Sequence, residues 1–407
     1  MALLADRISN IKESATLKIT AKAQELKAEG KDIIGLGAGE PDFDTPDYIK
    51  DAAKAAMDAG QTKYTPVPGT PQLRQAVADK LRNENELTYQ ANQVIIGTGG
   101  KQVLFNALYA SLNAGDEVII PAPYWVSYPD MTLLCEGVPV IVECLEENSF
   151  KLSPEQLEAA ITPRTKWIIL NSPSNPTGEA YTKQEMEALA AVIRKHSHVH
   201  VMADDIYEHL VYSGAEFHTF AQAAPDLIDR TLTVNGVSKA FSMTGWRIGY
   251  GAGPLELIKA MTKIQSQSTS NASSISQAAA LAALTGDTSF LADWRQSFEA
   301  RRNLVVKMIN SCPGLSCRTP SGAFYVYVNA EKLMGTITPS GKPIESDVDL
   351  AAYLLEHALV AVVPGSAFGL APYFRISYAV AEETLESACA RICEATAKLQ
   401  KSLPQAG

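Results

Sequence analysis

The sequence predicts an α/β protein, with a large domain built on a mostly parallel sheet and a smaller α+β domain. Short apolar runs alternate with helical stretches over residues 46–285, as expected for strands that are buried on both faces. Strands that are separated by helices favour parallel pairing. Beyond residue 285, long helices and a few isolated strands replace this alternation.

Helix start and stop signals define the first elements. Thr45-Pro46 predicts the start of a helix that Gly60 ends, and Thr70-Pro71 starts a helix running to about residue 86, because proline suits the first helical turn and glycine the end. A helix follows over residues 99–112, and a later one is expected to be interrupted at Pro129. The apolar runs predict strands at residues 94–97, 117–120, 138–144, 166–170, 200–203, 231–234 and 248–251.

The C-terminal part has a different pattern. Helices are predicted over residues 287–311, 347–357 and 382–401, and strands over 323–328, 360–363 and 374–378. The first 35 or so residues are expected to pack with these elements. The predicted division is a large domain of residues 46–285 and a small domain formed by residues 1–45 and 286–407.

The composition is that of a globular protein with a large core, since 46% of the 407 residues are hydrophobic and 20% are charged. A net charge of −10 argues against a nucleic-acid-binding surface. No apolar run is long enough to span a membrane, and Asp6 interrupts the apolar start where a signal peptide continues. With six scattered cysteines and no Cys-x-x-Cys pair, the expectation is a cytoplasmic protein with reduced thiols.

Two sequence patterns match parts of known functional sites, but the other residues that those sites require are absent. Ser9-Asn10-Ile11-Lys12 matches Ser-x-x-Lys, yet the other motifs of the hydrolases that use it are absent. His196, His198 and His200 alternate on one predicted strand face, without an acidic or cysteine partner at ligand spacing. The better interpretation is that these histidines are polar residues at the start of a strand, and the sequence predicts no metal site.

The segment from Ser238 to Arg247 carries the most specific chemistry in the chain. A lysine amine such as that of Lys239 becomes a nucleophile when burial or nearby positive charge lowers its pKa. Its characteristic product is a Schiff base with a carbonyl, including the aldehyde of pyridoxal phosphate. The hydroxyls of Ser238 and Ser242 and the guanidinium of Arg247 suit the phosphate of that cofactor. An ordinary solvated lysine is the alternative.

Other polar and aromatic groups follow the predicted strands at their carboxyl ends, where open parallel sheets bind ligands. Trp125 comes after the strand at 117–120, Asn175 after 166–170 and Asp204 after 200–203. A glycine-rich turn ending in Gly100-Lys101 precedes a helix whose N-terminal amides suit an anion. Each motif alone is compatible with a simple turn. Together they predict one site at one edge of the sheet.

These motifs together resemble the class I pyridoxal-phosphate-dependent aminotransferases, most nearly the bacterial aspartate aminotransferases, some of which also transaminate prephenate. The motifs keep the family's order over nearly the whole chain: residues 37–43, 123–125, 175–178, 204–207, 238–239, 245–247 and 374–377. The resemblance implies fold type I of the pyridoxal-phosphate-dependent transferases. It also implies a homodimer whose active sites are shared between the subunits.

The resemblance also implies roles for individual residues. Lys239 binds the cofactor as a Schiff base and then moves the substrate proton, Asp204 pairs with the pyridine nitrogen, and Tyr207 hydrogen-bonds the phenolic oxygen. The remaining implied cofactor contacts are Gly100, Lys101, Trp125, Asn175, Ser238, Arg247 and, from a second subunit, Tyr64. The implied substrate contacts are Gly39, Trp125, Asn175, Arg375, Lys101 and Lys12.

The implied reaction is amino transfer between L-aspartate and 2-oxoglutarate by a ping-pong route, with prephenate as a further acceptor. An aromatic or alanine aminotransferase of the same family is the alternative. Arg375 is expected to bind the α-carboxylate of amino acid and 2-oxo acid substrates. Since residues 265–271 contain no arginine, Lys101 is expected to bind the distal carboxylate, and Lys12 is the candidate for a second acidic group.

Overall fold

The computed structural model describes residues 3–11 and 15–401. Its α-helices are α1 Ala15–Ala28, α2 Asp47–Asp58, α3 Pro71–Asn85, α4 Gly100–Ser111, α5 Ser127–Leu134, α6 Pro154–Ala160, α7 Lys183–Lys195, α8 Phe220–Ala223, α9 Leu255–Ser266, α10 Ser274–Thr285, α11 Phe290–Ile309, α12 Asp347–Tyr353 and α13 Glu382–Ala397. Its strands are β1 Ile34–Gly35, β2 Val94–Gly97, β3 Glu117–Ala122, β4 Val138–Glu143, β5 Thr165–Asn171, β6 His200–Asp204, β7 Thr231–Gly236, β8 Gly249–Ala252, β9 Ser316–Cys317, β10 Tyr325–Asn329, β11 Thr336–Ile337, β12 Val360–Ala361, β13 Val363–Pro364, β14 Tyr373–Ser377 and β15 Gln400–Lys401. Among these residues, no helix has the length and apolar character needed to cross a membrane.

A seven-stranded sheet in the order β2-β8-β7-β6-β5-β3-β4 forms the centre of the molecule. The five strands from β7 to β4 are parallel, whereas β8 runs antiparallel to β7 and β2. The connection from β7 to β8 contains only a short 3₁₀-helix, so the chain returns antiparallel instead of crossing over. The predicted mostly parallel sheet is confirmed. Its register places Asn171 beside Asp204, so the carboxyl ends of these strands meet at one edge.

Helices cover both faces of this sheet. On one face α4 and α9 contribute Leu104 and Met261 to a core with Ile95 of β2, and on the other α7 contributes Leu189 and Ile193. All five side chains are almost fully buried. This two-sided burial explains why the strands are near-continuous apolar runs.

A second, antiparallel sheet in the order β13-β14-β10-β9 lies in the C-terminal part. Helices α11 and α13 pack on it through Phe298 and Ile392, among other core residues. Strand β1 pairs with β12, with Ile34 opposite Val360, so part of the N-terminal segment packs with C-terminal elements as expected. The exact division into two domains stays a prediction.

Three local predictions were wrong. Pro129 lies inside α5 without interrupting it, because a residue in the first helical turn has no intrahelical N–H bond to lose. Helix α13 ends at Ala397, and the chain then forms β15 against β11. Pro46 is the residue before α2, and the Thr45 hydroxyl donates to the carbonyl of Ser242 instead of capping the helix.

The expectation of reduced thiols is wrong for one pair of cysteines. Cys312 and Cys393 form a disulfide, with their Cα atoms 4.6 Å apart, although 81 residues separate them in sequence. The packing of α11 against α13 brings these positions together, and cysteine spacing alone does not reveal such a contact. The other four cysteines are free and buried.

Candidate active site

A cavity of about 470 Å³ opens at the carboxyl edge of the central sheet, a volume typical of small-molecule sites. The predicted site residues that line it are Gly39, Gly100, Lys101, Trp125, Asn175, Asp204, Tyr207, Ser238, Lys239, Arg247 and Arg375. They come from strand ends, from the start of α4, from the N-terminal segment and from β14. The structure therefore brings together side chains that the sequence places up to several hundred residues apart.

Lys239 lies in the turn after β7, where its ammonium donates a hydrogen bond to the carbonyl of Gly39. Its Nζ is 5.8 Å from the ring centroids of both Tyr207 and Phe324. Burial lowers the pKa of Lys239 to about 8, against the opposing charge of Glu40. The neutral amine, which is the form that attacks a carbonyl or accepts a proton, is therefore far more populated near physiological pH than in an exposed lysine.

Asp204 ends β6 and is almost fully buried. The Tyr128 hydroxyl donates to its Oδ2 at 2.6 Å, and the Ile206 amide donates to Oδ1 at 3.4 Å. Burial raises the pKa of Asp204 to about 6 in spite of these bonds. A cation in the cavity that pairs with the carboxylate would remove much of this penalty. The site thus suits a protonated ring nitrogen.

In the cofactor-free protein, Asp204→Asn is expected to raise the free energy of unfolding near pH 8 and to change it little near pH 4. The pKa of Asp204 rises from 3.8 to about 6, so the folded state retains a proton that the unfolded chain releases, and stability falls as the pH rises between these values. This difference in pKa corresponds to at most about 3 kcal/mol in the free energy of unfolding. Urea unfolding at both pH values measures the effect, and an equal change at the two would contradict it.

Arg375 is a buried guanidinium on β14. Its Nη1 donates to Oδ1 of Asn175 at 2.8 Å, and its Nη2 donates to the carbonyl of Gly37 at 2.6 Å. Its Nε has no hydrogen-bond partner among the described residues. Buried donors are rarely left unpaired, and a planar guanidinium binds a planar carboxylate with fixed geometry. Arg375 therefore suits the carboxylate of a ligand.

The start of α4 forms a cradle for an anion. Gly99 has a φ of +83°, and a Cβ at this position would lie 2.6 Å from Nη2 of Arg247. The absence of a side chain lets the guanidinium approach the N-terminus of α4, which begins at Gly100, and Ser238 lines the same cavity. Helix N-terminal amides next to a guanidinium favour a phosphate.

Lys101 and Trp125 form one wall of the cavity. The Lys101 Nζ lies 4.8 Å from the centroid of the Trp125 ring. Burial, together with the charge of Arg247, lowers the pKa of Lys101. The aromatic face and the cation are thus presented to the cavity side by side.

Among the described residues, Tyr64 is the predicted site residue that does not line this cavity. It is 92% exposed and lies between α2 and α3, and its role in the site of a second subunit stays a prediction. Lys12 lies outside the described residues.

Two of the alternating histidines contact other segments of the chain. His196 Nε2 is 2.8 Å from Glu158 Oε1, and His198 Nε2 is 3.0 Å from the carbonyl of Thr162.

The sequence analysis missed two tyrosines of the site. Tyr128 bonds to Asp204, and the hydroxyl of Tyr325 lies 2.8 Å from that of Tyr207. Tyr128 lies in the first turn of α5, three residues after Trp125, so its closeness in sequence to a predicted site residue is the signal that could have found it. Tyr325 lies in an alternating strand 118 residues from its partner, and no local pattern indicates the contact.

Comparison with known proteins places this site in a family. The model of the class I and II aminotransferases matches residues 31–392. The aspartate/prephenate aminotransferase of Cereibacter sphaeroides is 60% identical over 96% of this chain and 98% of that protein. The aspartate aminotransferase structure from Rhizobium meliloti has a TM-score of 0.96 at 55% identity, covering 98% of this chain and all of that one (100%).

A more distant structure has the same fold. The aspartate aminotransferase of Thermus thermophilus, solved with maleate, has a TM-score of 0.91 at 45% identity, over 97% of this chain and 100% of that one. The expected fold type is confirmed by these structures. The family match, the identities and the assembled cavity agree, and the chain belongs to the class I and II aminotransferases.

Proposed function

We propose that this protein is a pyridoxal-phosphate-dependent aspartate aminotransferase that moves the amino group of L-aspartate to 2-oxoglutarate in two half-reactions. One observation carries the proposal: the Lys239 amine and the Asp204 carboxylate face one cavity at the carboxyl edge of the sheet. The names of the relatives from Cereibacter sphaeroides and Rhizobium meliloti support the substrate. The first of them also supports prephenate as an additional acceptor.

The cavity offers groups that suit both the ring and the phosphate of pyridoxal phosphate. Asp204 would pair with the ring nitrogen, Asn175 and Tyr207 would bond the phenolic oxygen, and Trp125 would lie against the ring. The proposed phosphate contacts are Gly100, Lys101, Ser238 and Arg247, with Tyr64 from a second copy of the chain. When bound, the cofactor supplies an aldehyde for the substrate amine and a ring that withdraws electrons from the substrate α-carbon.

Lys239 performs the proton transfer in this proposal. Because burial lowers the pKa of Lys239 to about 8, its Nζ can accept the proton of the substrate α-carbon near neutral pH and then release it. The Gly39 carbonyl holds the Nζ inside the cavity. Asp204, kept in place by Tyr128, provides the negative charge that holds a ring nitrogen in its protonated form.

Arg375 and Lys101 bind the two ends of a dicarboxylic substrate in this proposal. Arg375, oriented by Asn175, binds the α-carboxylate that all amino donors share. Lys101 binds the distal carboxylate, since residues 265–271 offer no arginine. That segment does contact the start of α4, because Gln102 donates to the Thr269 hydroxyl at 2.6 Å. For prephenate, Lys12 remains the proposed contact for the second acidic group.

Lys101→Ser is expected to lower kcat/KM for aspartate by roughly 10- to 100-fold, the effect of losing one charge-assisted hydrogen bond. The value for alanine, which has no distal carboxylate, is expected to change much less. Steady-state kinetics with both donors measures the difference. Lys183→Ser, which removes an exposed lysine at the start of α7, is the control and should change neither value. Equal losses for aspartate and alanine would contradict the role of Lys101.

A matrix of donors and acceptors tests the function as a whole. Aspartate, alanine and phenylalanine are the donors, and 2-oxoglutarate, oxaloacetate and prephenate are the acceptors. Aspartate with 2-oxoglutarate is expected to be among the fastest pairs, and added aspartate is expected to shift the visible absorption of the purified protein. A strong preference for phenylalanine or alanine would instead favour the aromatic or alanine aminotransferase.

A further inference from the structure

Two tyrosine hydroxyls meet at the wall of the cavity. Tyr207 follows β6, Tyr325 begins β10, and both side chains are buried. Their hydroxyl oxygens are 2.8 Å apart. Among the described residues, this is the one hydrogen bond that either hydroxyl makes. The contact connects the central sheet to the antiparallel sheet of the C-terminal part.

Tyr325 also contacts the groups that surround the proposed substrate carboxylate. The Arg375 guanidinium lies 4.5 Å from the centroid of the Tyr325 ring. A Cβ at Gly39 would lie 2.9 Å from the Tyr325 hydroxyl oxygen, so a glycine is needed for the ring to fit here. Gly39 in turn accepts the hydrogen bond from Lys239. Tyr325 therefore lies between the reactive amine, the carboxylate-binding arginine and Tyr207.

Only one of the two hydroxyls can donate the bond that they share, and the positions of the two oxygens allow either to do so. Each hydroxyl has a single proton to donate. In the proposed complex, the phenolic oxygen of the cofactor would accept the proton of Tyr207, which lines the cavity. Tyr325 is then the donor of the bond between the two tyrosines, and the Tyr207 oxygen is its acceptor. Burial raises the pKa of both phenols, and the Arg375 charge opposes this rise at each of them.

We propose that Tyr325 is a positioning residue, which fixes the Tyr207 hydroxyl as a donor toward the phenolic oxygen of the cofactor. The inference rests on the proposed function and adds a residue to its machinery. The bond from Tyr207 stabilises the anionic form of that oxygen. The charged groups around the pair are Arg375 from β14, Asp204 from the end of β6 and Lys239 from the turn after β7.

Tyr325→Phe in the pyridoxal-phosphate-loaded protein tests this inference. The substitution keeps the ring beside Arg375 and removes only the hydroxyl, so folding and the thermal midpoint should change little. The pH midpoint of the cofactor's visible absorption is expected to rise by roughly half a unit to one unit, the effect of one weakened hydrogen bond. Tyr327→Phe is the matched control on the same strand, since the Tyr327 hydroxyl donates to the carbonyls of Gly365 and Leu370. It should leave the midpoint unchanged.

A double-mutant cycle separates positioning from a merely structural effect. If Tyr325 acts through Tyr207, Tyr325→Phe shifts the midpoint in the wild-type background and has no further effect in a Tyr207→Phe background. Equal shifts in both backgrounds, or no shift at all, overturn the inference. A wild-type protein that binds no pyridoxal phosphate overturns the proposed function as well. Normal cofactor absorption and aspartate turnover without the Tyr325 shift overturn only the inference.

Discussion

Replacement of Lys239 by alanine is expected to lower the rate of transamination by about ten-thousand-fold or more, because the same amine is proposed to act as nucleophile and as proton carrier. The alanine variant is expected to retain pyridoxal phosphate noncovalently, since the groups proposed for the phosphate and the ring nitrogen are unchanged. Steady-state kinetics with aspartate and 2-oxoglutarate measures the loss. Absorption after gel filtration measures the retained cofactor.

Borohydride labelling provides the control for this variant. Reduction of the loaded wild-type protein should fix the cofactor on the peptide that contains Lys239, and the alanine variant should take up no label. Lys101→Ser, which removes the other lysine of the cavity, should still be labelled at Lys239. A label on any other lysine, or normal turnover by the alanine variant, would refute the assignment.

Replacement of Arg375 by lysine is expected to lower kcat/KM by roughly a hundred-fold or more for every donor and acceptor. A lysine presents a single charged centre and cannot form the planar contacts of a guanidinium. It also offers one nitrogen in place of the two that donate to the Asn175 Oδ1 and to the carbonyl of Gly37, so the bonds to these acceptors are expected to weaken. Kinetics with aspartate and alanine distinguishes this general loss from the selective loss expected for Lys101→Ser.

Arg301→Lys is the matched control for the arginine variant. Arg301 is also buried in the C-terminal part, where its Nη1 donates to Asp42 at 2.7 Å, but it does not line the cavity. The control is expected to lower the thermal midpoint without a comparable effect on kcat/KM. Unchanged kinetics in the Arg375 variant, with cofactor bound, would show that the α-carboxylate binds elsewhere.

The sequence predicted the parts of the site that depend on one sheet. Asn175, Asp204 and Lys239 each follow a strand, and the carboxyl ends of parallel strands meet at the same edge. Hydrophobic runs located these strands, because burial on both faces leaves few polar residues in them. The direction of β8 was not evident, since an apolar run does not indicate whether its strand is parallel or antiparallel to its neighbour.

Other parts of the site depend on contacts between distant segments. Arg375 was located through the resemblance alone, since its bond to Asn175 joins residues that are 200 apart. Tyr128 and Tyr325 were missed because a buried tyrosine is ordinary core material until its hydroxyl partner is known. The Cys312–Cys393 disulfide was not predicted either, because its cysteines meet only after two helices have packed.

The bond from Arg375 to the carbonyl of Gly37 has a consequence for protein engineering. Next to it, the Ser377 amide donates to the Leu36 carbonyl at 2.8 Å, and β1 is held beside β12. A truncated variant that starts just before α2, with residues 1–45 deleted, would lack the backbone carbonyl that holds Arg375, the arginine proposed to bind the substrate. Shortened versions of the protein should therefore retain this segment.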